Sequence, residues 1–109
     1  MPVTVYKKLI RDKIPQVFAA NNKIFNTRIL TDDEYRVALK QKLIEESKEV
    51  LESSNKKDLI YEIADVIEVL NCIKSSENIS DEDVEKCRLE KGKKRGVFSQ
   101  KLFLESVEE

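Results

Sequence analysis

With 109 residues the chain has the length of one domain, spanning 1–109, and so small a core is expected to be completed by a second copy of the chain. Charged residues make up 38% and apolar residues 40%, with two glycines and two prolines; this suits helices carrying one apolar stripe and excludes a turn-rich all-β fold. A net charge of −1 argues against an overall polyanion-binding surface, and the lack of any histidine removes the usual general base.

The N-terminal MPVTVYKK has no signal-peptide apolar region, and no apolar run approaches the roughly 18 residues of a membrane span, so a cytoplasmic protein with no membrane partner is expected. After the β-branched and aromatic residues Val3 to Tyr6, Pro15 suits the first turn of a short helix running to about Asn21. Ile24 to Leu30 is read as extended, on an imperfect alternation.

Thr31-Asp32-Asp33-Glu34 is a capping box, in which a hydroxyl and a carboxylate three residues apart each accept from the other's backbone amide. A long helix is expected from here to the polar run at 53–57. Tyr35, Leu39, Leu43 and Val50 form its apolar stripe, and the position that completes the stripe is Glu46. The short connection predicts an antiparallel neighbour from about Asp58 to Ile73, apolar on nearly every side and therefore the most buried element. It nevertheless carries Glu62, Asp65 and Glu68. A further cap at Ser80 opens a helix to about Gly92, followed by a basic turn and an extended or looped tail. The expected fold is thus all-α: a small bundle of about four helices around an antiparallel central pair, completed by oligomerisation.

Cys72 and Cys87 stand fifteen positions apart with no CxxC, which gives neither zinc spacing nor a Cys/His nucleophile; both are expected to be reduced packing residues. The carboxylates carry more information. Residues three apart share a helix face, so Glu46 with Glu49 and Glu62 with Asp65 make two inward pairs, set opposite each other by antiparallel packing. Surface carboxylates at this spacing are common, but one that interrupts an apolar stripe and two within an apolar helix call for protonation or a cation. With oxygen donors alone the preferred ion is hard, Mg²⁺ or Mn²⁺ as a substitute, and such a site favours phosphate chemistry on nucleotides. Glu45 is placed to add a ligand or hold a water, and Glu68 is a weaker candidate for the same role.

Glu45-Glu46-Ser47-Lys48-Glu49, then twelve residues, then Glu62-Ile63-Ala64-Asp65 resembles the EExxE…ExxD signature of the MazG-like all-α nucleotide pyrophosphohydrolases. Tyr6 to Pro15 and Lys94-Arg95-Gly96-Val97-Phe98 are similar to the small single-domain branch described as phosphoribosyl-ATP pyrophosphohydrolase-like or house-cleaning. The resemblance implies Mg²⁺ held by Glu46, Glu49, Glu62 and Asp65, with Glu45 and Glu46 serving catalysis. It implies cleavage of a nucleoside triphosphate between its α and β phosphates, giving a monophosphate and pyrophosphate, in a homodimer or higher oligomer. Lys8, Arg11, Lys13, Lys91, Lys94 and Arg95 are the candidates to receive phosphates, and Asn71 to meet the nucleotide.

The enzymatic alternative is hydrolysis of phosphoribosyl-ATP in histidine biosynthesis. The alternative of another class is a non-catalytic helical dimerisation module. No nucleic-acid partner is expected, because the basic run at 91–95 is short and only Phe98 adjoins it as a stacking platform.

Overall fold

The computed structural model describes residues 2–108 as four helices, with no strand among the described residues: α1 (Ile14–Ala20), α2 (Asp32–Glu52), α3 (Lys56–Ser76) and α4 (Asp81–Arg95). The all-α class expected from the sequence is what the chain adopts. Its residues group into two compact units, 2–78 and 79–108.

In the first unit the capping box forms as expected. The Thr31 hydroxyl accepts from the Glu34 amide at 3.2 Å, while the Glu34 carboxylate accepts from the Thr31 amide at 3.1 Å. Arg28 holds the same carboxylate from outside, and its hydrogen bond brings the Glu34 pKa down from 4.5 to about 2. Asn55 caps α3 by accepting from the Asp58 amide at 2.9 Å, so α3 begins at Lys56 and not near Asp58. Three residues, 53–55, join α2 to α3, a link short enough to keep the two helices as neighbours. The ion pair between Arg36, near the start of α2, and Glu77, just past the end of α3, shows at 3.9 Å that they run antiparallel.

The stripe on α2 behaves as its spacing requires. Leu39 and Glu46 are its buried residues, and Tyr35, Leu43 and Val50 are half-buried beside them. α3 corrects the expectation of deepest burial. Only Val69 is buried in it, while Ile60, Tyr61, Ile63, Ile67 and Leu70 are exposed, because α2 packs along one side of α3 and an apolar girdle needs cover on more than one side. The segment 24–30 also differs from expectation: it is irregular, with Ile24 and Ile29 fully exposed and no strand beside it among the described residues to complete a ladder. Phe25 instead meets Phe18 of α1, ring centroids 5.5 Å apart.

In the second unit Ser80 caps α4, accepting from the Asp83 amide at 3.1 Å. The helix continues past Gly92 to Arg95, since Lys93, Lys94 and Arg95 are good helix formers and favour the negative end of the helix dipole. Gly96 stops it at φ 82°, a conformation that other residues adopt at a cost. Cys87 is exposed on this helix and is not the packing residue the sequence suggested, whereas Cys72 on α3 is half-buried. No described helix is long and apolar enough to cross a membrane.

Candidate metal centre

α2 and α3 bring both carboxylate pairs together. Glu46, Glu49, Glu62 and Asp65 each offer an oxygen, and these oxygens all lie within 4.8 Å of one another. Glu46 is buried, Glu62 and Asp65 are half-buried, and Glu49 stands at the exposed rim. The antiparallel register makes the constellation: one turn of α2 and one turn of α3 face each other where these two helices pack together.

Four carboxylates at this spacing repel, and two signs of the cost are present. Glu46 Oε2 and Glu62 Oε2 are buried with no hydrogen-bond partner, which is expensive for an ionised oxygen. Glu49 has its pKa raised, first by a hydrogen bond shared with Glu62, then by burial and by the Glu62 charge. Both features fit a cation held here. Glu46, Glu49, Glu62 and Asp65 would hold the ion, each through one carboxylate oxygen. An all-oxygen donor set of this kind suits a hard divalent ion.

Basic residues surround the set. Arg11 donates to Asp65 Oδ1 at 2.7 Å, Lys42 lies 3.1 Å from Glu46 Oε1 and 3.4 Å from Glu45 Oε1, and Lys8 lies 3.6 Å from Glu45 Oε1. With Glu45 counted, five carboxylates meet three cations, an excess of two negative charges that one divalent cation would balance. Lys42 was not singled out from the sequence. Its side chain is only 19% exposed; burial works to lower its pKa, but Glu46 and Glu45 outweigh burial and hold it up. The signal was legible, since Lys42 precedes Glu45 and Glu46 by three and four residues and so shares their face.

The other expected residues are placed less uniformly. Lys13 sits at the start of α1 and is exposed, with its carbonyl accepting from the Val17 amide. Lys91, Lys94 and Arg95 belong to α4 in the second unit, where Lys94 and Arg95 lie in its last turn. Asn71 lies on α3 in a groove of about 350 Å³ lined by Tyr35, Glu68, Asn71, Cys72, Ser75 and Ser76. Glu68 is thus directed to this groove, where the Cys72 thiol donates to its carboxylate at 3.7 Å, and is not one of the clustered carboxylates. Tyr35, which was read from the sequence as a stripe residue only, closes the groove from α2; burial, then the Cys72 thiol, raise its pKa.

The sequence pattern of the phosphoribosyl-ATP pyrophosphohydrolase family matches residues 3–87. The chain belongs to that family. The match includes Arg11, Lys42 and all four clustered carboxylates, and it runs past the boundary between the two compact units. Membership in this family, within the MazG-like all-α superfamily, makes the protein a nucleotide pyrophosphohydrolase, a hydrolase of phosphoanhydride bonds. No curated protein and no solved structure matches the chain.

Proposed function

We propose that the protein is a Mg²⁺-dependent nucleoside triphosphate pyrophosphohydrolase that cleaves between the α and β phosphates and removes non-canonical or surplus nucleotides, with Mn²⁺ as a substitute ion. The observation that carries this reading is the convergence of Glu46, Glu49, Glu62 and Asp65 with two buried carboxylate oxygens lacking partners. When bound, the ion supplies charge neutralisation of the phosphates and a lowered pKa for water.

The chain's own groups do the rest. Glu45, half-buried and steered by Lys8 and Lys42, is positioned to orient a water and accept its proton. Lys42, fixed between Glu45 and Glu46, presents positive charge where a phosphate oxygen would arrive. The groove at Asn71 begins one turn of α3 beyond Asp65, with Glu68. Its far end at Ser76 is eleven residues on from Asp65, about 16 Å along the axis, enough for the sugar and base of a nucleotide whose phosphates lie at the carboxylates.

Phosphoribosyl-ATP, the substrate in the family's name, carries an additional phosphate on a second ribose. The groove lining offers Glu68 and no lysine or arginine, a poor receptor for that dianion and a fair one for an uncharged base. This supports nucleoside triphosphates over phosphoribosyl-ATP. A panel of canonical and modified nucleoside triphosphates with phosphoribosyl-ATP, assayed for pyrophosphate under Mg²⁺, is expected to show turnover of triphosphates. Turnover of phosphoribosyl-ATP alone would return the protein to histidine biosynthesis.

We also propose that the working form is a homodimer or higher homo-oligomer in the cytoplasm. Ile60, Ile63, Ile67 and Leu70 expose an apolar face of α3, and a shallow apolar depression formed by Val50, Ile63, Val66 and Ile67 with Ser47 continues it onto α2. Sedimentation at micromolar concentration is expected to give a mass at least twice that of the chain, and Ile67→Asp to shift it toward the monomer. A wild-type monomer over the same range would refute the oligomer. It would not touch the metal centre, whose four carboxylates all come from one chain.

A further inference from the structure

Residues 2–13 contain no helix or strand, yet two of their side chains reach the acidic centre from the same strap of chain. Lys7 adopts φ 49°, a left-handed bend uncommon outside glycine, immediately before the residue that contacts α2. Lys8 then reaches Glu45 on α2 while lying 5.3 Å from the centre of the Tyr6 ring, and Arg11 reaches Asp65 on α3. Leu9 and Ile10, between them, are half-buried. The strap therefore crosses both metal-bearing helices, held at each by an ion pair.

The two contacts differ in what they occupy. Glu45 lies outside the four-carboxylate set, so Lys8 can stay in place when that set is filled. Asp65 belongs to the set, and Arg11 holds its Oδ1 at 2.7 Å with a guanidinium 61% exposed to solvent. A pair whose guanidinium is this open to solvent is weak, whereas a divalent ion brings twice the charge to the same carboxylate.

We propose that Arg11 is an exchangeable counter-ion of Asp65. It neutralises the carboxylate in the metal-free protein, is displaced when a divalent cation loads, and is then left above the site, tethered through Lys8, as a free cation for the incoming phosphates. This rests on the metal-centre reading proposed above. It makes metal loading the event that releases a phosphate-binding arginine, so that the binding of ion and nucleotide is ordered by one side chain.

Calorimetric titration of Mn²⁺ alone into the full chain tests it, alongside trypsin cleavage after Arg11, which requires the Arg11 side chain to leave Asp65. Arg11→Met is expected to bind Mn²⁺ about two- to fivefold more tightly than wild type, while Lys48→Met, which removes another exposed cation from the acidic region, is expected to change affinity less. Cleavage after Arg11 in the wild type is expected to become faster on loading, even as the fold is stabilised. Equal or weaker binding by Arg11→Met, an equal gain in Lys48→Met, or slower cleavage with Mn²⁺ would each overturn the exchange and leave the metal centre standing. No Mn²⁺ binding by the wild type would overturn both.

Discussion

Asp65→Ala and Glu46→Ala are each expected to lower Mg²⁺-dependent pyrophosphate release by about 10²–10³-fold, the loss that follows removal of one preorganised group from a charge-stabilising site. The two replacements reach that result by different routes. Asp65 is half-buried and pairs with Arg11 in the metal-free protein, and in the proposed centre its loss would remove one ligand. Glu46 is the buried carboxylate of the stripe on α2, and its loss also leaves Lys42, with a side chain only 19% exposed, without its closest carboxylate. Glu46→Gln separates these effects, since it keeps the shape and one acceptor oxygen while removing the charge. Assays over a range of Mg²⁺ concentrations give the readout: a rate restored by excess ion places the defect in affinity, and a rate that stays low places it in the chemistry. Near-wild-type rates in both alanine variants would remove the carboxylate cluster from the reaction.

Metal binding is expected to reverse the sign of the cluster's contribution to stability. In the metal-free protein Glu49 has a raised pKa, caused first by Glu62, so between its ordinary value of 4.5 and the folded value the native state binds more protons than the unfolded state. Stability from this source therefore falls as pH rises through that window and is lowest above it. Glu34 has the opposite sign. Held at about 2, it contributes stability above pH 4.5 that is lost as the pH falls through its folded value. From these two groups, the metal-free protein is expected to gain stability on acidification from neutrality toward about pH 4.5 and to lose it below.

Glu62→Gln removes the charge facing Glu49 and is expected to raise the metal-free Tm, by roughly 4–8 °C for each kcal/mol of repulsion relieved in a domain of this size. Saturating the wild type with Mg²⁺ at a hundred times its Kd adds about 2.7 kcal/mol, and Glu62→Gln is expected to gain much less. The variant is thus more stable than wild type without the ion and less responsive to it. Calorimetric melting with and without Mg²⁺ reads both effects. A metal-free Glu62→Gln less stable than wild type would mean that the cluster is held by hydrogen bonds and not strained by charge.

Much of the fold was legible because its signals are local. The Thr31 and Ser80 caps lie within three residues of the amides they serve, and both form as read. The position of Glu46 in the α2 stripe needed only helical spacing, and it is buried there. The start of α3 was misplaced by two residues because Asn55, the true cap, stood inside what was read as a polar linker. Residues 24–30 were misread because strand formation depends on a neighbour, which the segment itself does not specify.

The sequence by itself determined the four carboxylates, since a hairpin of two long helices with a three-residue link has one compact register, and that register sets Glu46 and Glu49 against Glu62 and Asp65. It also determined the family, through residues spread over 3–87. Only the tertiary structure decided which cations those carboxylates hold. Arg11 is 54 residues from Asp65 in sequence, and no periodicity links an irregular strap to a helix face, so its pairing had to be seen in space. The same is true of the exposed face of α3. Its apolar residues were plain in the sequence, but whether a helix buries them depends on what packs against each of its sides, and α2 covers one.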